Sequence, residues 1–158
     1  MPVEVVIEEP LWSEMGLEAL AERAVAVTLG HLGQDELELV CLGAGDGRVA
    51  ELNAAFRGKA QPTNVLSWPS ETLRPQGPGH VPPAPNTPEI GDIALAHGVC
   101  SREAEAAGIA LADHATHLIV HGVLHLLGYD HGTDEDADLM ENTEIDILIT
   151  LGIANPYV

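Results

Sequence analysis

The chain has 158 residues, a length that suits one domain with a real core, since about 70% of the unfolded surface is buried at this size. Its formal charge of −19, from 25 acidic against 6 basic residues, argues against a conventional nucleic-acid surface, which carries the opposite sign. Two distant cysteines, Cys41 and Cys100, favour inert buried thiols in a reduced cytoplasmic compartment over a disulfide or a Cys metal ligand.

Residues 3–8 mix β-branched and acidic side chains and predict a first strand; the flanking sequence has no basic cluster, so no signal peptide is expected. No apolar segment reaches the length of a membrane span, so no membrane partner is expected. From residue 13 to about 31, the apolar positions Leu17, Leu20, Ala21, Ala24, Val27 and Leu32 recur at helical spacing. Residues 36–42 predict a second strand, and Asp46 is placed to cap a helix running to about residue 56. A short strand over 64–68 stops at Pro69.

Residues 69–90 hold seven of the eleven prolines and no long apolar run, which predicts a loop inside the domain, functional or mobile, rather than a linker. A strand over 89–96 follows, then helices over about 99–107 and 109–127. Thr133 with Asp136 three residues on resembles a capping box and opens a last helix to about residue 151. Strands gather early and helices late. That order predicts a single α+β domain over 1–158, a mixed sheet of about four strands with about five helices.

The most informative stretch is His121-Gly-Val-Leu-His125-Leu-Leu-Gly128-Tyr-Asp-His131. Residues i and i+4 stack on one helix face, so His121 and His125 can grip one ion. Gly128 can take positive φ and turn the chain back, bringing His131 as a third nitrogen. Three imidazoles with an open position suit a catalytic zinc better than a structural one. The spacing also occurs in metzincin proteases, but the glutamate they use as general base is Gly122 here, which disfavours ordinary zinc-protease chemistry.

Other candidates carry less. His114 and His117 precede His121 on roughly the same helical side, and ordinary packed or solvent-facing histidines are the plainer reading for both. His31, His80 and His97 carry lower weight still. Asp130 suits either turn chemistry or a hydrogen bond to an imidazole or water. Glu141 and Glu144 read as a solvated acidic face, and Met140 as a core methionine. Arg48, Arg57, Lys59 and Arg74 share one segment that would make the field locally positive if it folded beside the histidines; ordinary surface cations are the simpler reading.

With these residues in view, the chain resembles the YbeY family of bacterial metal-dependent endoribonucleases. Residues 121–131 match the family pattern H-G-x-L-H-L-x-G-Y-D-H, the segment from Leu52 to Pro69 is similar to L-N-x-x-Y-R-x-K-D-x-P-T-D-V-L-S-F-P, and Ile90-Gly91-Asp92-Ile93 is similar to its L-G-D-I strand. The resemblance implies a zincin-like fold and cleavage of single-stranded RNA in ribosomal RNA maturation and ribosome quality control. It implies one metal ion, zinc or another divalent cation, on His121, His125 and His131, with His121 also part of the catalytic set. Arg57 would bind phosphate and stabilise charge in the transition state, with Lys59 and Ser67 along the RNA path. A ribosomal protein or a ribosome-associated GTPase is the expected protein partner. Asn64 and Ala60 depart from the pattern, standing where the family usually has Asp.

Two rivals stay open at this level. One is a zinc hydrolase acting on peptides or small amides. The other is a non-catalytic assembly factor whose acidic surface docks on a basic ribosomal protein.

Overall fold

The computed structural model describes residues 2–58 and 63–157; Lys59 and Ala60, singled out above, lie outside the described residues. Four strands form one mixed sheet: β1 (Val3–Ile7), β2 (Glu38–Ala44), β3 (Val65–Pro69) and β4 (Glu89–Ala96), in the order β1-β2-β4-β3. β1, β2 and β4 run parallel, and β3 pairs antiparallel with β4 at the edge, Ser67 opposite Ile93. Six helices accompany them: α1 (Pro10–Met15), α2 (Leu17–His31), α3 (Asp46–Arg57), α4 (His97–Ala107), α5 (Leu111–Leu126) and α6 (Asp134–Thr150). The α+β architecture and strand number agree with the sequence reading.

The sixth helix comes from a break that periodicity does not reveal. Gly16 adopts a left-handed conformation, φ +92, so its N–H caps the carbonyls of Trp12 and Ser13 while it also opens α2. Pro10 starts α1 three residues before the expected position, because a proline costs nothing where a helical N–H has no partner. Trp12 is fully buried, and its indole N–H donates to the Ala44 carbonyl at 3.0 Å, tying α1 to the end of β2.

Asp46 was expected to cap α3, and this is corrected. It is the first helical residue, with Gly45 at the cap, and its carboxylate serves a different helix. It accepts from the Val99 N–H at 3.0 Å and from Arg102 at 2.9 Å, covering the start of α4. Burial raises its pKa, but these bonds outweigh that and hold it below the usual carboxylate range. The Thr133 cap is as read: its hydroxyl accepts from the Asp136 N–H at 3.1 Å.

The main core joins α2, α5 and α6 to the sheet through Leu17, Leu29, Ile93, Ile119, Leu124, Met140 and Ile147, all essentially inaccessible. A smaller cluster of Val49, Leu66 and Ala96, with Trp68 against it, packs α3 on the sheet. Alternation along β3 therefore gives Leu66 and Trp68 to the α3 side and leaves Ser67 facing α5. Cys41 and Cys100 are buried and unpaired, and burial pushes both thiols up to about 12. Among the described residues, no helix is long and apolar enough to cross a membrane.

Candidate metal centre

α5 carries its apolar residues on one side, with Ile119, Val120, Val123 and Leu124 fully buried, and a row of histidines on another. His114, His117, His121 and His125 follow at spacings of three, four and four, with ring centroids 6.4, 6.3 and 4.5 Å apart in turn. The helix ends where Tyr129 N–H returns to the Leu124 carbonyl at 3.0 Å and Gly128 takes φ +99. A Cβ at Gly128 would lie 2.3 Å from the Leu73 carbonyl oxygen, so both the turn and the close approach of the proline-rich segment require glycine.

The tautomers of the two central histidines follow from their partners. His125 Nδ1 lies 3.0 Å from the Tyr129 carbonyl oxygen, which can only accept, so Nδ1 carries the proton. His121 Nδ1 lies 2.6 Å from Glu144 Oε1. Burial opposes the charge on Glu144, yet the His117 imidazole nearby and hydrogen bonds from His121 and Tyr157 hold its pKa at about 2, so the carboxylate is ionised and His121 Nδ1 donates. Both Nε2 atoms therefore present lone pairs, and they lie 3.0 Å apart. Two acceptors at that distance repel unless a cation sits between them. Desolvation, with His121 and His131 nearby, lowers the His125 pKa to about 4, which keeps its lone pair free at neutral pH.

The sequence reading of Glu144 as part of a solvated face is overturned: its side chain is wholly buried. Besides His121, it accepts a short hydrogen bond from the Tyr157 hydroxyl, and His117 Nε2 approaches to 3.6 Å. His117 is packed rather than solvent-facing, and its Nε2 is buried with no hydrogen-bond partner among the described residues. A signal was present in the sequence. Met140, Glu144, Ile147, Leu148 and Leu151 form one helical stripe, and all five are buried, so the lone acid among them sits on the core face. Met140 is a core methionine, as read.

His131 is brought back to the pair, its ring 5.7 Å from each of His121 and His125. Asp130 takes the turn role, accepting the His131 N–H at 2.7 Å. Among the described residues, the grouping whose donor atoms all lie within 4.8 Å of one another is instead His117, His121 and Glu144, a set able to hold a metal ion. His114 is separate, paired with Glu103 at 2.9 Å. Glu103 also accepts from the Asn64 amide at 3.0 Å, a bond that only the amide at this position can donate.

His121 and His125 open into a cleft of about 870 Å³ that is also lined by Arg57, Ser67, Arg74 and Asp130. Arg57 ends α3 and is exposed; Ser67 Oγ reaches the Gly122 carbonyl at 3.5 Å. The basic segment divides in space. Arg48 is paired with Glu8 at 3.2 Å and does not line the cleft, whereas Arg57 and Arg74 do. Gly122 packs against the sheet, where a Cβ would meet Ile93 at 3.1 Å and Ser67 at 3.3 Å.

An α+β domain with imidazole nitrogens lining an open cleft has the form of a binding or active site. The family model described as Endoribonuclease YbeY matches residues 7–152. The chain is 55% identical to a protein of Dinoroseobacter shibae named endoribonuclease YbeY, over 98% of this chain and 90% of that one. It is 51% identical to the protein of that name from Paracoccus denitrificans, over 99% and 90% of the two chains. The chain belongs to the YbeY endoribonuclease family. Its fold is similar to the solution structure of a Thermotoga maritima protein, with TM-score 0.58 and 20% identity over 95% of this chain and 91% of that one.

Proposed function

We propose that this protein is a cytoplasmic, metal-dependent endoribonuclease that cleaves single-stranded RNA in ribosomal RNA maturation and ribosome quality control. His121, His125 and His131 hold one divalent ion, zinc by the chemistry of an all-imidazole set. The observation that carries the metal is the 3.0 Å approach of two Nε2 lone pairs whose Nδ1 protons are committed elsewhere. In the grouping of His117, His121 and Glu144 the carboxylate already accepts hydrogen bonds from His121 and Tyr157, while His117 Nε2 has no hydrogen-bond partner among the described residues. Glu144 is thus the carboxylate that orients a ligand, a common arrangement behind metal-bound histidines.

When bound, the ion would supply Lewis acidity at the floor of the cleft. The chain does the rest. Tyr129 and Glu144 fix the two imidazoles in the tautomer that exposes Nε2. Arg57 has a planar fork suited to two phosphate oxygens, and it neutralises charge as that charge grows on phosphorus. Ser67 offers a hydroxyl along the cleft wall, and Lys59, two residues after Arg57 in sequence, is a further cation for RNA. A basic ribosomal protein, or a ribosome-associated GTPase, suits a surface with a formal charge of −19 and would deliver RNA that this surface repels at long range.

Peptide hydrolysis is disfavoured by Gly122. The position of the missing general base faces Ile93 and Ser67 with no room for a carboxylate. The test is cleavage of single-stranded RNA and of casein by purified protein, with and without chelator. RNA cleavage that chelator abolishes and added Zn²⁺ restores supports the proposal. Chelator-sensitive proteolysis without RNA cleavage contradicts it.

A further inference from the structure

The proline-rich segment between β3 and β4 is anchored at several points. Glu71 accepts from Asn86 N–H at 2.7 Å and from its amide at 3.0 Å, closing the base of the segment. Gly79 N–H donates to Asp136 at 2.9 Å, fastening the far end to α6. Between them Leu73 is buried, with its carbonyl against Gly128 in the turn joining His125 to His131. Arg74 is the next residue. It is exposed and lines the same cleft as His121 and His125.

Charge sharpens this placement. With 25 acidic residues against six basic ones, a cation readily finds a carboxylate. Arg48 is paired with Glu8 and Glu51, and Arg102 with Asp46. Among the described residues Arg23, Arg57 and Arg74 make no ion pair, and the last two are the arginines that line the cleft. The acids beside them accept hydrogen bonds from neutral donors: Glu71 from Asn86, Asp130 from the His131 N–H, and Asp136 from the Gly79 N–H. Three carboxylates, Glu71, Asp130 and Asp136, line the same cleft, but two guanidinium groups without ion pairs leave their N–H donors free for phosphate oxygens beside the histidines.

We propose that Arg74 is a second phosphate-binding residue of the cleft, and that the proline-rich segment holds it there so that successive phosphates of one RNA strand meet Arg57 and Arg74. The inference rests on the RNA-cleaving function proposed above. It gives the segment a substrate-positioning role, so loss of Arg74 acts on binding while loss of Arg57 acts on the reaction.

The experiment is steady-state cleavage of a labelled single-stranded oligoribonucleotide by the full chain, Arg74→Ala, Arg74→Lys and Arg57→Ala, at several salt concentrations. Arg74→Ala is expected to raise KM about tenfold with kcat nearly unchanged, the effect of losing one charge-assisted contact. The dependence of log kcat/KM on log salt is expected to become shallower by about 0.7, the share of one phosphate on a single strand. Arg74→Lys keeps the charge and is expected to restore the salt slope; all variants keep the melting temperature because Arg74 is exposed. Wild-type KM and salt slope in Arg74→Ala would overturn the inference. If Arg57→Ala then still lowers kcat, the proposed function stands without it; a wild-type chain that cleaves no RNA removes both.

Discussion

Glu144 accepts a hydrogen bond from His121 Nδ1 at 2.6 Å, joining the core face of the last helix to the cleft face of α5. The carboxylate is fully buried, yet held ionised by hydrogen bonds from His121 and from Tyr157, which completes its orientation. Replacing one acceptor oxygen by an amide removes the charge and offers a donor to an imidazole that already donates. Glu144→Gln is therefore expected to weaken Zn²⁺ affinity about 10–100-fold, as for other groups that orient metal ligands. Competition against a chromophoric chelator measures it. An unchanged affinity would reduce Glu144 to a packing role.

Acid is expected to destabilise the metal-free protein in two overlapping windows. His125 has a folded pKa of about 4 against an ordinary 6.5, so between those values the unfolded chain binds the extra proton and stability falls as pH falls. Glu144, at about 2 against 4.5, contributes stability above pH 4.5 that is lost as pH drops through 2. Urea unfolding midpoints of chelated protein between pH 7 and 3 check the sign; a midpoint that rises on acidification contradicts both assignments.

Gly128→Ala is expected to cost about 1–3 kcal/mol from the positive φ alone. The added methyl would also press on the Leu73 carbonyl and shift either the proline-rich segment or the approach to His131. Metal affinity should fall together with stability, as read by thermal melts with and without Zn²⁺. A stable variant with full affinity would show that the turn has slack.

Gly122→Ala places a methyl 3.1 Å from Ile93 and 3.3 Å from Ser67, a tight fit whose strain is offset by alanine's helix preference of about 1 kcal/mol, so the net change is expected to stay within about 2 kcal/mol. Gly122→Glu is expected to unfold the protein or to separate α5 from the sheet, without creating protease activity. Casein hydrolysis by a folded Gly122→Glu protein would contradict this account of the missing base.

Much of the site was legible because it is local. The spacing of His121 and His125 on one helix, and the glycine that turns the chain toward His131, need no knowledge of the rest of the fold. What escaped depends on contacts between distant elements. Asp46 looks like the cap of its own helix, but the sheet order brings α4 within its reach. Glu144 lay on a recognisable apolar stripe, yet only α5 packed against α6 explains a buried acid there. Tyr157 lies beyond the last helix, and no periodicity announces its bond. The strand order β1-β2-β4-β3 places β3 at an edge beside the cleft, a fact that strand prediction alone does not contain. Gly16 split a helix that the apolar pattern runs straight through.

The central claim is that His121, His125 and His131 hold one metal ion in a cleft that cleaves RNA. Metal content of the full chain and of His121→Ala, both purified without chelators and confirmed as folded, tests its metal half most directly. About one equivalent of zinc or another divalent metal in the unaltered chain, lost in His121→Ala, is the expected result for a three-imidazole site. No stoichiometric metal in the unaltered chain, or the same content in both, would contradict it.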